Sequence, residues 1–382
     1  MLSLPPELWL EVFRWIASLA YPFYATKCEP FQTCPQYDQL DEALRVKYNL
    51  ILVCRQWKAM AEDLFYEDLR IRHGDENLAK VLEKSKVRGR WVRRAELPYT
   101  TTATATMQPL PSLAILKNCS QLQVLVRPAP NRLENLRFDF GVDGLQFQSL
   151  RRLEWWYHNE AAQSGGINSL DYVLGGSPKL QYLSLGGELR PNQLRPPRQL
   201  PLVSVVRLGA GMNALFFRQI CRWILPSLVH IVADQSPGTS IIEMLWDTFG
   251  SQLQFVELGR HLRFLVEDHL TPIFRHCPNL LELNYYFFFT APPNRCVEHS
   301  SLQTIRLHGN PNEMLMALAF VWEHVEEHFA MFMGALLPNL QRIILYGDWS
   351  WVLSDRRFAN IHYALDARGC NLELPDGRVL SY

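Results

Sequence analysis

The chain has 382 residues, which is enough for two or three domains with a substantial core. Hydrophobic residues make up 48% and charged residues 20%, ordinary values for a globular protein. The 38 basic residues balance the 38 acidic ones, and this neutrality removes the electrostatic footprint of a general nucleic-acid binder. We therefore expect no nucleic-acid partner. The basic run at 84–94 indicates a solvated face more than a phosphate contact.

The eight cysteines, at positions 28, 34, 54, 119, 221, 277, 296 and 370, are scattered and include no Cys-x-x-Cys pair. A zinc module or a disulfide framework would cluster them. The pattern predicts no metal, no cofactor and a reducing compartment, the cytoplasm or the nucleus. Cys28 and Cys34, the closest pair, leave a metal or redox role open. No apolar stretch reaches the roughly 18 residues that cross a bilayer, and Glu7 and Glu11 interrupt the first apolar run, so neither a membrane partner nor export is expected.

The first predicted element is an unusually apolar helix. Pro6 suits the first turn of a helix, and Glu7 favours the positive end of its dipole. One apolar stripe contains Leu8, Val12, Trp15, Ile16 and Leu19, and a second contains Leu10, Phe13, Ala17 and Ala20. A helix that is apolar on two faces is buried on both. It is therefore either a central core helix or a helix that packs on one face and offers the other to a partner.

Two short segments resemble the two halves of an F-box. The first is Leu4-Pro5-Pro6-Glu7-Leu8, and the second is 50–61, with a helix carrying Val53-Cys54-Arg55-Gln56-Trp57. In that family a small helical module connects a substrate receptor to a cullin-type ubiquitin ligase through an adaptor subunit, the S-phase-kinase-associated protein. The resemblance implies that the adaptor is contacted, or its surface shaped, by Leu4, Pro5, Leu8, Val12, Phe13, Val53, Cys54 and Trp57.

A long insert separates the two halves. It spans 21–41 and contains Pro22, Pro30 and Pro35, which a continuous helix would not accommodate. A loop of this length is either functional or loosely ordered. The sequence thus predicts an F-box-like helical module over 1–72 with an inserted loop at 21–41, followed by a helical connector over 73–90.

From about Trp91 the phrase Leu-x-x-Leu-x-Leu recurs, as in the strand of a leucine-rich repeat. Clear copies begin at Leu150, Leu180, Val203, Leu228, Leu253, Leu280, Leu302 and Leu340, and looser copies at Val92, Leu122 and Leu133. The first seven clear copies are 22 to 30 residues apart. The last step is longer, and its filler, 312–337, predicts an inserted helix. Prolines 178, 226, 278 and 338 are expected to end the preceding helices.

These patterns predict an α/β fold. A small all-α module is followed over 91–382 by an irregular leucine-rich-repeat solenoid of parallel strands with return helices. The asparagine of regular repeats is mostly absent, which favours an irregular arrangement. A hairpin around Asp376-Gly377 is expected to cap the last strand. This layout resembles the large F-box families of fungi.

Positions between the inward-facing leucines should lie on the concave surface of the sheet, unless they are merely solvated or covered by loops. Their aromatic and arginine content is typical of protein-recognition hot spots. The candidate substrate-binding residues are Arg152, Trp156, Tyr182, Arg207, Phe255, Tyr286, Arg306, His308, Arg342 and Tyr346. The run 285–289, Tyr-Tyr-Phe-Phe-Phe, predicts either a doubly buried strand or an aromatic contact patch.

Two further motifs suggest enzyme chemistry. Gly209, Gly211 and Ala214 follow a predicted strand, and Asp234 lies 20 residues further on, as in a dinucleotide-binding fingerprint. The same residues also fit the repeat pattern. His324 and His328, one helical turn apart, could hold zinc, with Glu327 between them as a base. No third ligand can be identified from the sequence, although Glu373 is a carboxylate further along the chain. The alternative for that pair is a solvated helix face.

The sequence therefore favours a non-enzymatic substrate receptor. Its expected partners are the adaptor, through it a cullin, and an unidentified target protein held by the repeats. A protein-interaction scaffold without a role in ubiquitin transfer is the second hypothesis. An enzyme that uses the Gly209/Gly211 fingerprint or the His324/His328 pair is the third.

Overall fold

The computed structural model describes residues 4–18, 29–32, 37–71, 76–97, 100–101, 112–129, 136–137, 145–159, 162, 166–235, 239–259, 266–294, 297–312, 315 and 320–381. The chain divides into two compact units. The first unit contains 1–28 and 32–187, and the second contains 29–31 and 188–382. Both combine helices with parallel strands, so the protein belongs to the α/β class. Among the described residues, none of the helices is long and apolar enough to cross a membrane.

The first unit begins with three helices: α1 (Pro6–Ser18), α2 (Tyr37–Val53) and α3 (Arg55–Tyr66). The remaining elements are β1 (Asp68–Arg70), α4 (Glu76–Lys84), α5 (Lys86–Trp91), β2 (Arg94–Glu96), β3 (Thr100–Thr101), α6 (Ser112–Asn118), β4 (Val124–Arg127), β5 (Leu136–Arg137), β6 (Arg152–Tyr157), α7 (Leu170–Gly175) and β7 (Tyr182–Gly187). The parallel strands lie in the order β1-β2-β4-β6-β7, and β3 pairs antiparallel with β5.

The second unit carries seven parallel strands among its described residues, in the order β8 to β14, so each strand pairs with the next one along the chain. Its elements are β8 (Val205–Leu208), α8 (Ala214–Cys221), β9 (His230–Ala233), α9 (Thr239–Phe249), β10 (Phe255–Leu258), α10 (Leu270–His276), β11 (Glu282–Tyr286), β12 (Thr304–His308), α11 (Val321–Met333), β13 (Arg342–Tyr346), α12 (Ser350–Leu353), α13 (Arg356–Ala367) and β14 (Asn371–Glu373).

The strand register aligns the repeated apolar residues in rows. Ile231, Val256, Leu283, Ile305 and Ile343 are opposite one another on neighbouring strands and are buried. Side chains alternate across a strand, so the residues between them lie on the other face of the sheet. All eight clear copies of the leucine phrase therefore coincide with a parallel strand that begins two residues into the phrase.

Side chains in the turns before the strands connect successive repeats. The Ser227 hydroxyl donates to the Pro201 carbonyl (2.6 Å), and the Ser301 hydroxyl donates to that of Pro278 (2.7 Å). The Asn279 amide donates to the Ser251 carbonyl at 2.7 Å. These bonds satisfy turn carbonyls that the strand ladder leaves unpaired, and so fix neighbouring repeats to each other.

Three expectations about the boundaries of elements need correction. The parallel strands begin at Asp68, before residue 91, because 68–70 pairs in register with 94–96. The insert is helical from Tyr37, so its last residues belong to α2. The copy at Leu133 is not a repeat strand, because its described part, β5, pairs antiparallel with β3.

Other expectations match the described elements. The connector at 73–90 contains α4 and most of α5, and the insertion at 312–337 contains α11. At the C-terminal end, Glu373 bridges antiparallel to Val379, and Gly377 adopts a positive φ of 82° in the turn between them. Glycine takes that conformation without steric cost, so the hairpin closes at Asp376-Gly377. Within the run 285–289 the strand ends at Tyr286 and a 3-10 turn, Phe287–Phe289, is buried.

Candidate functional site

Helix α1 has one packed face and one exposed face. Phe13 is fully buried, with Leu50, Ala61 and Leu64, in the core of the three-helix module. On the other side, Leu4, Leu8 and Val12 are spaced four residues apart and are 45%, 50% and 37% exposed. Trp15, one turn further along, is 68% exposed. Of the two apolar stripes predicted from the sequence, the one that contains Phe13 packs into the module core, and the one that contains Leu8, Val12 and Trp15 remains at the surface.

Aromatic contacts set the geometry of the packed side. The Trp57 ring centroid lies 4.9 Å from that of Trp9 and 4.7 Å from that of Phe13. These pairs join α3 to α1 across the module core. Phe13 is consequently a residue that shapes the module, since its side chain has no exposed surface. Trp57 is half-buried and contributes to both the core and the surface.

The segment expected to form one helix through 53–57 is broken at Cys54. Cys54 has an extended backbone (φ −162°, ψ 170°) and caps α3, because the Trp57 N–H donates to its Sγ at 3.4 Å. Helix α2 therefore ends at Val53, whose side chain is 59% exposed, and Leu52 beside it is 61% exposed. The sequence did not predict this break, because cysteine is an uncommon N-cap residue.

The exposed residues of the module form the first candidate site. They are Leu4, Pro5, Leu8, Val12, Val53 and Cys54, all on the module surface. Their exposed surface is apolar apart from the Cys54 thiol, which accepts the Trp57 N–H. Contiguous exposed apolar residues on a helix mark a docking surface for another apolar helix.

The second candidate site is the non-core face of the second unit's sheet, where arginines are paired with carboxylates. The Arg306 Nε atom lies 2.8 Å from Glu282 Oε1, and Arg342 Nη2 lies 2.6 Å from Glu373 Oε2. Arg207 Nη2 lies 2.7 Å from Asp234 Oδ1, and its side chain is buried. The arginines here are held in fixed orientations by their partners, which reduces the entropy lost when a ligand binds.

Aromatic side chains cluster at one end of this face. Tyr286, His308 and Tyr346 occupy the same row on β11, β12 and β13, and all three are half-buried. The Tyr286 and His308 rings stack with centroids 4.4 Å apart. Arg306 donates to the Tyr346 hydroxyl at 3.3 Å. We call Tyr286, His308 and Tyr346 the aromatic box. Phe255 is half-buried on β10, with its ring centroid 5.7 Å from that of His230.

The aromatic box already contacts a residue that sequence reasoning did not select. Phe31, from the insert, belongs to the second unit and lies against the rings of all three residues. Its N–H donates to Glu257 Oε2 at 2.9 Å. The contact joins residues that are 226 positions apart, and no periodic pattern in the sequence predicts it.

In the first unit, Tyr182 and Arg152 are not available for contact. Tyr182 is completely buried and Arg152 nearly so, because the guanidinium stacks 4.1 Å from the Tyr182 ring centroid and bonds to Glu154 at 2.7 Å. Trp156 is half-buried. At the end of the basic run, Arg94 is likewise buried and lies 2.8 Å from Asp68. Arg94 belongs to the basic run that was expected to be a solvated face, and it departs from that expectation because opposite charges allow its guanidinium to be buried. The ring of Tyr182 and the carboxylate of Glu154 bury the guanidinium of Arg152 in the same way.

The dinucleotide-like fingerprint has its polar groups engaged internally. Asn213 caps α8, with its side-chain oxygen accepting from the Phe216 N–H at 3.1 Å. Asp234, at the ribose-binding position of the fingerprint, bonds to Arg207 through both carboxylate oxygens. The N-terminus of α8 and the carboxylate are therefore occupied by this chain's own groups.

The two histidines of the zinc-like motif lie in the core. The alternative expectation, that this pair lies on a solvated helix face, was therefore wrong. The His324 Nε2–H donates to the Phe287 carbonyl (3.0 Å), and the His328 Nε2–H donates to that of Thr290 (2.9 Å). The Tyr285 hydroxyl bonds to His328 Nδ1 at 3.1 Å. Burial lowers the pKa of both imidazoles, that of His328 well below its usual range. Both rings are thus neutral and hydrogen-bonded.

No group of three His, Cys, Asp or Glu residues in the described part of the chain is placed to hold a metal ion. Glu373, the carboxylate downstream of the histidine pair, is bonded to Arg342. Cys54, Cys119, Cys221, Cys277 and Cys370 are free thiols, whereas Cys28 and Cys34 lie outside the described residues. Burial raises the pKa of the Cys119 and Cys277 thiols to about 12, which makes them unreactive.

No family model matches the chain, and no curated protein matches it significantly.

Proposed function

We propose that this chain is the substrate receptor of a cullin-type ubiquitin ligase. Helices α1 to α3 are the F-box-like module that docks the adaptor. The parallel strands of the two units are the strands of an irregular leucine-rich-repeat solenoid that holds a target protein. The receptor supplies proximity and orientation and performs no covalent chemistry itself. This function places the protein in the cytoplasm or the nucleus.

The exposed stripe of Leu8 and Val12 on α1, with Leu4 just before the helix, carries this proposal. The three residues are large, apolar and evenly spaced. Leu8 and Val12 lie on a helix whose opposite face is already packed around Phe13, and Leu4 lies just before that helix. Leaving such a stripe in water is unfavourable at about 25 cal/mol per Å² of apolar surface, so its retention indicates a binding role. The order Leu-Pro, apolar helix, insert and second helix is the order in which the F-box resemblance would use these residues.

The fixed charge pairs and aromatic rings of the second unit's sheet support a recognition role for that region. Arg306, Arg342 and the aromatic box combine directional hydrogen-bonding groups with large rigid surfaces. Tyrosine and arginine are the residue types that dominate binding energy at protein interfaces. The internally bonded histidines and the occupied fingerprint favour recognition over catalysis in this unit.

Co-purification with the adaptor tests the proposal. The wild-type chain should form a stable complex with the purified adaptor at micromolar concentration, and Leu8→Asp with Val12→Asp should abolish it by placing charges in an apolar interface. Tyr363→Asp is the matched control, because Tyr363 is 76% exposed on α13 of the second unit and carries the same kind of change away from the module. If the folded wild-type chain does not associate, the scaffold hypothesis replaces the receptor.

A further inference from the structure

The aromatic box is filled by the chain itself. The Phe31 ring lies 5.4 Å from Tyr286, 5.1 Å from His308 and 5.1 Å from Tyr346, measured between ring centroids. The interplanar angles of 81°, 81° and 62° are those of edge-to-face contacts. Such contacts stabilise aromatic pairs beyond the area that they bury. Three successive strands thus supply three walls around one phenyl ring.

A backbone hydrogen bond fixes the depth at which Phe31 sits. Its N–H donates to Glu257 Oε2, and the same oxygen accepts from Asn284 Nδ2 at 3.3 Å. Glu257 is 5% exposed and Asn284 2% exposed. Among the described residues, no donor reaches the remaining Asn284 Oδ1. A buried carboxylate is costly unless it is hydrogen-bonded, and the Phe31 N–H supplies one of the bonds that Glu257 accepts.

The conformation of Phe31 is not one that its own sequence favours. Phe31 has a φ of 57°, the positive value that steric contacts normally restrict to glycine and asparagine. It follows Pro30 in a turn. A non-glycine residue persists in this conformation when its surroundings determine it, and such strain is typical of ligand clamps. The contacts of the aromatic box and Glu257 must therefore outweigh the strain.

We propose that the aromatic box and Glu257 form a binding site for a short protein segment with an aromatic side chain, and that Phe31 occupies this site in the same chain. The aromatic residue of the partner must keep its N–H, because Glu257 accepts it, so proline is excluded at that position. As an account of target recognition, this inference rests on the proposed receptor function. The site itself requires no adaptor.

An intramolecular occupant lowers the apparent affinity for the partner. Tethering gives a segment an effective concentration on the order of millimolar, so an outside peptide must compete with Phe31. Removing the Phe31 ring should therefore increase binding of an outside peptide. The apparent dissociation constant of the peptide equals its intrinsic value divided by the fraction of chains in which Phe31 has left the site. We therefore expect the affinity to increase by at least about tenfold when the ring is removed.

The experiment measures fluorescence anisotropy with the full chain and a labelled peptide. The probe has the sequence of residues 27–33 with Cys28→Ser, and its control carries Phe31→Ala in the peptide as well. The chain with Phe31→Ala should bind the probe at least tenfold more tightly than the wild type, and should not bind the control peptide. Adding Tyr346→Ala to that chain should weaken binding again, because one wall of the aromatic box is lost.

Equal binding of the probe and the control peptide by the folded Phe31→Ala chain would overturn the proposal, as would no binding at all. Phe31→Leu serves as the second variant if the alanine variant loses its fold, because leucine keeps an apolar side chain in the site. It should bind the probe more tightly than the wild type and more weakly than Phe31→Ala. Adaptor capture by the Phe31 variants should stay at the wild-type level, so failure of adaptor docking and failure of this site are distinguished.

Discussion

The buried carboxyl of Glu257 gives the second unit a distinctive dependence on pH. Burial raises the pKa of Glu257 from 4.5 to about 7, against the opposing effects of the Phe31 N–H, Arg207 and Asn284, which favour the charged form. Between those pH values the folded chain holds a proton that the unfolded chain releases. The stability contributed by this group is therefore complete below pH 4.5 and is lost as the pH rises through 7.

The variant Glu257→Gln isolates this contribution. Glutamine has the same shape, keeps an oxygen that can accept from Phe31 and does not titrate. From a pKa of 4.5 in the unfolded chain and about 7 in the folded chain, the advantage of the variant over the wild type should grow by about 2.5 kcal/mol between pH 5 and pH 8. For a unit of this size that corresponds to roughly 5–10 °C in melting temperature.

The assay compares the melting temperatures of both chains at several pH values, and the difference between them is the quantity of interest. His230, on the adjacent strand, has a pKa lowered to about 4 by burial, so its own contribution to stability increases with pH over much of the same range. Subtraction removes that opposing effect, because both chains contain His230. A difference that stays constant from pH 5 to pH 8 would refute the account of a buried Glu257 at this site.

Three further predictions concern the described cores. Phe13→Ala should lower the free energy of unfolding by about 3–5 kcal/mol in urea titrations, while Val12→Ala should change it by less than about 0.5 kcal/mol; equal effects would contradict the packing of α1. At pH 8, a thiol reagent followed by peptide mass analysis should label Cys54 in the folded chain and Cys277 only after unfolding, since burial raises the pKa of Cys277 to about 12. His328→Leu should destabilise the chain by roughly 1–3 kcal/mol for each polar group left unpaired. Zn²⁺ should not raise the melting temperature of the wild type, and a clear rise would support a zinc site at His324 and His328.

The regular part of the fold could be predicted from the chain. Each clear copy of the leucine phrase begins two residues before an observed strand, because a strand that buries one face must repeat its apolar residues with a period of two. The apolar excess of α1 also led correctly to one packed and one exposed face. Both inferences depend on local patterns, which a sequence records directly.

The parts that could not be predicted depend on contacts between distant residues. The burial of Arg152 against Tyr182, and of His328 against the carbonyl of Thr290, requires partners on other elements. The contact of Phe31 with Glu257 joins a turn of the insert to strand β10, which was predicted from the leucine phrase that begins at Leu253. Arg152, Tyr182 and His328 were assigned from their positions on a strand or helix, and their partners changed the outcome, whereas Phe31 was not selected at all.

The most direct test of the proposed function is hydroxyl-radical footprinting of the full chain with and without the adaptor. The oxidation rates of Leu8, Val12 and Trp15 should fall severalfold in the complex, because these exposed side chains would be covered. The rate at Tyr363, which is more exposed than these three residues but lies on the second unit, should not change. If the adaptor associates but leaves Leu8, Val12 and Trp15 as reactive as in the free chain, then α1 is not the docking surface and the central claim is wrong.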